Sequence, residues 1–550
     1  MANLKYIFVS GGVISGLGKG VTVASLANTI EARGYSVSPV KIDMYLNIDA
    51  GILNPKEHGE VFVTDDGLET DQDIGNYERF LGKSLSRNNY MTTGQVYKSV
   101  IDKERAFYYG GKTVEVIPHV TDEVINRLKS LGEEQKADVV IAEMGGTVGE
   151  YQNDIFFEAC RLLKLEYPDD VLHIHVAYLP VPKYLGEMKT KPIQQSVRLL
   201  NERGIRPDFV VGRYEGARTL DEGRKKKIAL YCNVTFEDVI ANPNVSSIYE
   251  IPLLFEEQRF AEKVLYKLKL SPFTSVNITR WTELINKISS AGRELNIGLI
   301  GKYFDVGGGY LLSDVYISVI EALKHACWYH NCKPVLKWID SDRIEKEGSE
   351  NLLKDLAGIV VPGGFGEKKI DGIYHGIRYA RENKIPYLGL CYGMQLAAIE
   401  FARNVCGMSE ADTTEINCNT PIPLIHEMPD QAKKLLNKEY GGTMRLGQWD
   451  CVLKEGTVVH KAYGRDYISE RHRHRYEFNS SYKETLEQGG LVFSGTSPHG
   501  DIVEILELPE EIHPFFVGVQ FHPEFKSRPL EGHPLFNSFM EKCVKSEEKS

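Results

Sequence analysis

The chain has 550 residues, 42% of them hydrophobic, and a formal net charge of -11 at pH 7. This length exceeds what one core can hold, so two domains are expected, while the acidic balance argues against a nucleic-acid binder or a membrane-surface protein, which need a basic face. Nine cysteines without a C-x-x-C pair fit neither a disulfide framework nor a structural zinc site, and the lack of a leader pattern or a span-length apolar run predicts a cytoplasmic protein with no membrane partner.

The first strong signal is Ser10 to Gly20, SGGVISGLGKG, between the strand-like Lys5 to Val9 and the helix-like Val21 to Arg33. Five glycines and one lysine in eleven residues, at a strand-to-helix handover, suit a phosphate cradle. Glycine lets backbone N–H groups approach an anion, the helix N-terminus adds its positive end, and Lys19 supplies a cation. The strict Walker spacing is not met, because Val13 stands where the first glycine belongs and Gly20 follows the lysine. A glycine-rich turn without chemistry is the competing reading. Ser36 to Asp43 reads as a second strand ending in Lys41 and Asp43, and the strand-helix alternation predicts a parallel sheet covered on both faces.

Gly59 to Phe80 holds five carboxylates between Asp65 and Asp73, which suit a solvated acidic loop equally well. A further strand, Asp138 to Ala142, ends in Glu143. Ligands of open parallel sheets sit at the carboxyl ends of strands, so Glu143 and Asp73 are expected to hold Mg²⁺ beside the Lys19 loop. After the strand-like Leu172 to Leu179, GEMKTKPIQQ (Gly186 to Gln195) presents two lysines flanking a threonine, a candidate clamp for a second polyphosphate. The RKKK run, Arg224 to Lys227, reads by itself as a solvated face.

The rhythm stops at 270–295, a linker with one helix from Thr279 to Ala291, and restarts at Asn296. The expected organisation is a first domain at 1–269, the linker, and a second domain at 296–550, both doubly wound α/β. A helix at Ser313 to Tyr329 and strands at Pro334 to Ile339 and Ala357 to Val361 lead into Pro362-Gly363-Gly364-Phe365-Gly366. Pro386 to Leu390 then enters Gly389-Leu390-Cys391-Tyr392-Gly393. A cysteine between a strand and a helix, flanked by glycines, has the build of a nucleophile elbow, and the helix N-terminus favours thiolate. His522-Pro523-Glu524, after the strand-like Phe515 to Phe521, supplies a base and a carboxylate to orient it. Gly363 and Gly364 offer an N–H beside that of Tyr392 for an oxyanion.

The motifs PGGFG, GLCYGMQ and QFHPE, in this order, resemble class I glutamine amidotransferase domains. With SGGVISGLGKG, HGEVFVTDDGLETD, EMGGTVGE, KTKPIQ, GGTMRLG and ERHRHRYE, nearly the whole chain resembles the CTP synthase family. The resemblance implies a first domain that is P-loop-like, and formation of CTP from UTP, ATP and L-glutamine, with GTP as activator, CTP as inhibitor and a homotetrameric assembly. It implies that Ser15, Gly16, Leu17, Gly18, Lys19, Gly20, Val21, Lys41 and Asp73 bind ATP, and that Asp73 and Glu143 hold Mg²⁺. UTP or CTP would be bound by Ser15, by Glu150, Tyr151 and Gln152, by Lys189, Thr190, Lys191, Pro192, Ile193 and Gln194, and by Lys227. Cys391, His522 and Glu524 would form the triad, and Gly364, Tyr392, Gly393, Met394, Gln395, Glu415 and Arg475 would grip glutamine. His58 is implied near the exit of an ammonia route.

Several positions depart from the family pattern: Glu150-Tyr151-Gln152 replaces Asp-Ile-Glu, Gly16 replaces a serine, Gly307-Gly308-Gly309 lengthens a loop, and Lys368 stands where arginine commonly follows PGGFG. Two rivals stay open at this point. One is another glutamine-dependent, ATP-driven amidoligase, which would lack a UTP pocket. The other is a regulatory P-loop ATPase with an inactive glutaminase-like module, which would not need Cys391, His522 and Glu524 together.

Overall fold

In the computed structural model, described for residues 4–216, 219–301, 313–364, 370–427 and 444–548, the chain divides into two units. Met1–Asp49 and Asn76–Ile285 form the first; Ala50–Gly75 and Asn286–Ser550 form the second. Lys368, Gly307-Gly308-Gly309 and the Phe365-Gly366 end of PGGFG lie outside the described residues.

The first unit is built on a seven-stranded sheet, in the order Tyr90–Thr92, Val37–Asp43, Val139–Met144, Lys5–Gly12, Val171–Tyr178, Phe209–Tyr214, Val239–Pro243. Every pairing is parallel. All eight residues of the central strand Lys5–Gly12 are buried, as expected of a strand covered on both faces. The helix Lys19–Glu31 starts directly after Gly18, whose φ of 80° places it in the left-handed region open to glycine. The linker helix runs from Thr279 to Ser290, and its Trp281 donates to the Tyr249 carbonyl at 2.7 Å, within the first unit.

The second unit has a nine-stranded sheet of two characters. Cys332–Asp340, Arg293–Gly301, Gly358–Val361, Tyr387–Leu390 and Phe516–Val519 are parallel neighbours. Beyond them Val503–Glu507, Val492–Thr496, Arg445–Leu453 and Tyr467–His474 continue the sheet antiparallel. This antiparallel extension has no counterpart in the doubly wound pattern read from the sequence, because Tyr467–His474 (YISERHRH) carries charge where a hydropathy pattern expects apolar residues. The segment Ala50–Gly75 adds a small hairpin, Val61–Val63 against Glu69–Asp71, to this unit.

Candidate active sites

In the second unit the strand Tyr387–Leu390 delivers Cys391 to the N-cap of the helix Tyr392–Asn404, with φ 49° and ψ -97°. A positive φ at a cysteine is strained backbone of the kind held at functional sites. The surroundings fix it: the Cys391 N–H donates to Val519 O at 2.7 Å, and the flanking glycines are demanded by contact. A Cβ on Gly389 would lie 2.7 Å from the backbone of Gly393, and one on Gly393 2.2 Å from Val361 O. Sγ is 3.8 Å from Arg473 O and 3.5 Å from Gln520 Nε2.

His522 and Glu524 meet as expected, with Nδ1 2.7 Å from Oε1, and the imidazole stacks on Phe525 at 5.1 Å and 15°. Burial disfavours the charged ring, but Glu524 and then Cys391 outweigh it and raise the His522 pKa to about 10. Gly363 lets the ring sit close, since a Cβ there would stand 2.7 Å from Cε1. Gly363, Gly364, Cys391, His522 and Glu524 line a cavity of about 130 Å³ with Pro55, Glu60, Val61 and Arg473. The sequence reading missed Glu60, which accepts from Ser318 N–H at 3.1 Å at the start of the helix Ile317–Tyr329. Among the glutamine candidates, Tyr392, Met394 and Gln395 are buried. Glu415 and Arg475 both act on the Tyr476 hydroxyl, whose pKa is raised by burial first and then by Glu415, against Arg475. His58 ends the short helix Pro55–His58 and is exposed.

The strand Tyr467–His474 sorts its charges by face. Arg471 donates to Asp65 at 2.5 Å and to Val63 O at 3.0 Å; Arg473 donates to Glu69 at 2.8 Å and to Gly51 O at 3.1 Å. On the other face His472 and His474 are buried, 3.0 Å apart. Burial, and secondarily Arg445, holds both rings neutral, His474 at about 3. Two of the five carboxylates that suited a solvated loop are thus partners of arginines. The available signal was the Arg-x-Arg alternation of ERHRHRYE, a period of two that puts the arginines on one face of a strand.

In the first unit Lys19 is buried and its ammonium donates to Gly146 O at 2.9 Å, while Gly11 leaves it room: a Cβ there would be 2.9 Å from Nζ. Ser15 and Gly16 are exposed, Leu17 and Gly20 are buried, and Gly18 and Val21 are half-buried. Lys41 reaches Glu143 at 3.1 Å, and Tyr77 also donates to this buried carboxylate. The structure therefore gathers Lys19, Lys41 and Glu143 around the Gly145-Gly146 turn. Asp73 belongs to the segment grouped with the second unit, at the start of the helix Gln72–Leu81. The turn is braced by Glu150, which accepts from Thr147 N–H and Oγ1 at 2.7 Å each; Tyr151 is 94% exposed and Gln152 exposed.

KTKPIQ and RKKK come together in the same unit. The carboxyl of Glu187 is held below its usual range, chiefly by the hydrogen bond from Lys189, with Arg224 and Lys227 adding to it. Arg224 also donates to Met188 O at 3.1 Å. Thr190 stands just before the helix Lys191–Glu202, which has Pro192 in its first turn; Ile193 is buried, and Gln194 donates to Thr190 Oγ1 at 3.0 Å. Among the described residues no group of three or more His, Cys, Asp or Glu is placed to hold a metal, and no helix is long and apolar enough to cross a membrane.

A parallel-sheet unit with a glycine-rich loop, together with a cysteine-elbow unit, defines the class: a ligase fed by glutamine hydrolysis. Residues 5–270 match the family described as CTP synthase N-terminus, and residues 311–542 match glutamine amidotransferase class-I. A CTP synthase of Caldanaerobacter subterraneus subsp. tengcongensis is 49% identical over 98% of this chain and 97% of its own. One from Clostridium kluyveri is 48% identical over 100% and 99%. A solved structure of the Trypanosoma brucei CTPS glutaminase domain with bound acivicin is 35% identical and covers 46% of this chain and 94% of that one, at a TM-score of 0.41. The chain belongs to the CTP synthase family.

Proposed function

We propose that the chain aminates UTP to CTP, with ATP activating the uracil ring and glutamine supplying the nitrogen. The observation that carries this reading is the pairing, in one chain, of Cys391 in a strained elbow beside His522 and Glu524 with a buried Lys19 at a glycine-rich loop. In the glutaminase half, the Cys391 thiol gives its proton to His522 and attacks the glutamine amide carbon. The oxyanion is met by backbone N–H groups at Gly364 and Tyr392, and His522 returns the proton to the leaving ammonia. Water activated by His522 then releases glutamate from the thioester.

In the synthetase half, Lys19 and the backbone of Ser15 to Val21 orient the ATP phosphates for transfer to O4 of UTP, and Lys41 adds charge. Glu143 is a hard oxygen donor of the kind that suits Mg²⁺, which when bound would neutralise phosphate charge. Lys189 to Gln194 and Lys227 form the basic cluster proposed for the UTP or CTP phosphates, with Glu150, Tyr151 and Gln152 as the CTP-sensing turn. GTP activation, CTP inhibition, a homotetramer and a cytoplasmic location are part of the same reading. The test is direct: UTP, ATP and Mg²⁺ are supplied with either glutamine or ammonium, and CTP is sought. CTP from both nitrogen sources is expected, and CTP from neither overturns the reading.

A further inference from the structure

Gln520 precedes the QFHPE phenylalanine, is fully buried, and has a side-chain nitrogen 3.5 Å from Cys391 Sγ. Which end of that amide faces the sulfur is fixed by a chain of obligatory partners. Tyr476 O is a backbone carbonyl and only accepts, so Gln395, 2.8 Å away, presents its NH₂ group there. The same NH₂ donates to Gln520 at 3.2 Å, so the Gln520 atom it meets is the oxygen. The Gln520 NH₂ is left pointing at Sγ.

Arg473 O, a further polar neighbour of the sulfur at 3.8 Å, is a carbonyl that accepts from the thiol but repels a thiolate. We infer that Gln520 is the donor that holds the Cys391 thiolate, and that Gln395 is a positioning residue that keeps the Gln520 amide turned the right way. When the Sγ–H proton moves to His522, the bond to Arg473 O is lost and the one from Gln520 strengthens, because a hydrogen bond to a charged acceptor is worth more than one to a neutral acceptor. The inference rests on Cys391 being the nucleophile. Among the described residues, the ionisable groups facing the sulfur's cavity are Glu60, Tyr316, Arg473, His522 and Glu524, all left unchanged by the variants below.

The experiment is the pH dependence of Cys391 alkylation by iodoacetamide in the full chain, followed by peptide mass so that the other eight cysteines do not enter, for wild type, Gln520→Met, Gln520→Glu and Gln395→Met. Loss of a hydrogen bond to a charged group should move the acid limb up by about one pH unit in Gln520→Met. Gln520→Glu should move it further, since a carboxylate replaces the donor. Gln395→Met should move it in the same direction by less, without touching the sulfur. Glutamine hydrolysis by Gln520→Met should fall about tenfold at neutral pH. A group that only filled space would leave the limb in place. Limbs that coincide with wild type in all three variants overturn the inference while leaving the nucleophile intact; a wild-type Cys391 that does not react at all overturns the nucleophile itself.

Discussion

Arg473 donates to Glu69 at 2.8 Å, and the same residue's main-chain carbonyl lies 3.8 Å from Cys391 Sγ. The nucleophile's neighbour is thereby tied to the hairpin that carries the acidic run. Both side chains of the pair are largely buried, so cutting it leaves a charge without its partner, at a cost of about 3 to 5 kcal/mol. Arg473→Ala and Glu69→Gln should each lower the thermal midpoint and reduce glutamine hydrolysis about tenfold. The double variant should be little worse than either single one, because residues sharing one interaction are not additive. Additive losses in a double-mutant cycle would show that the ion pair does not connect the hairpin to the thiol.

Cys391→Ala should abolish CTP formation from glutamine yet leave formation from ammonium largely intact. The cysteine sits in the second unit, and its elements share no strand with the sheet carrying the Lys19 loop. Steady-state rates with each nitrogen source check this, and equal loss of both would contradict a division of labour between two sites.

Much of this organisation was legible in the chain. Glycine-rich turns at strand ends are read easily because close backbone approach leaves no other residue: Gly363, Gly389 and Gly393 each abut a ring or a carbonyl. The elbow at Cys391 follows from the same logic, whereas the strand read over Lys5 to Val9 runs on through Gly12, so that Ser10, Gly11 and Gly12 of the expected loop are strand. What was not legible is chemistry set by distant partners. The acidic run Asp65 to Asp73 carries no sign that Asp65 and Glu69 meet Arg471 and Arg473, some 400 residues away in sequence. Gln520 stood in the QFHPE motif without a role, because the orientation of an amide depends on contacts that sequence does not encode. The antiparallel half of the second sheet stayed hidden because its buried strand is polar, satisfied by pairing rather than by apolar packing.

Lys19→Ala should stop CTP synthesis from either nitrogen source while basal glutamine hydrolysis survives. Phosphoryl transfer depends on positioning and charge neutralisation, and Lys19 is a buried cation held at Gly146 O. Parallel assays of CTP and of glutamate read the two halves separately. Near-normal synthesis would reduce the loop to a structural turn.

Glu477 is expected to make the protein's stability depend on pH. Its carboxyl is raised to about 7 by burial, which Arg445 partly offsets, while the like charges of Glu504 and Asp501 add to the rise. A carboxyl raised in the folded state binds a proton there that the unfolded chain has released. Its contribution is therefore fully present below the unfolded value near 4.5 and is lost as pH climbs through about 7. Glu477→Gln cannot ionise, so it should remove this descent: near pH 5 the variant and wild type should melt alike, and near pH 8 the variant should be the more stable. The shift bounds the gain at about 3 kcal/mol. Glu504, also raised by burial, stays in place, so some slope should remain. Thermal midpoints from pH 5 to pH 8 measure the difference, and parallel curves for the two proteins would mean that Glu477 stays ionised in its buried site.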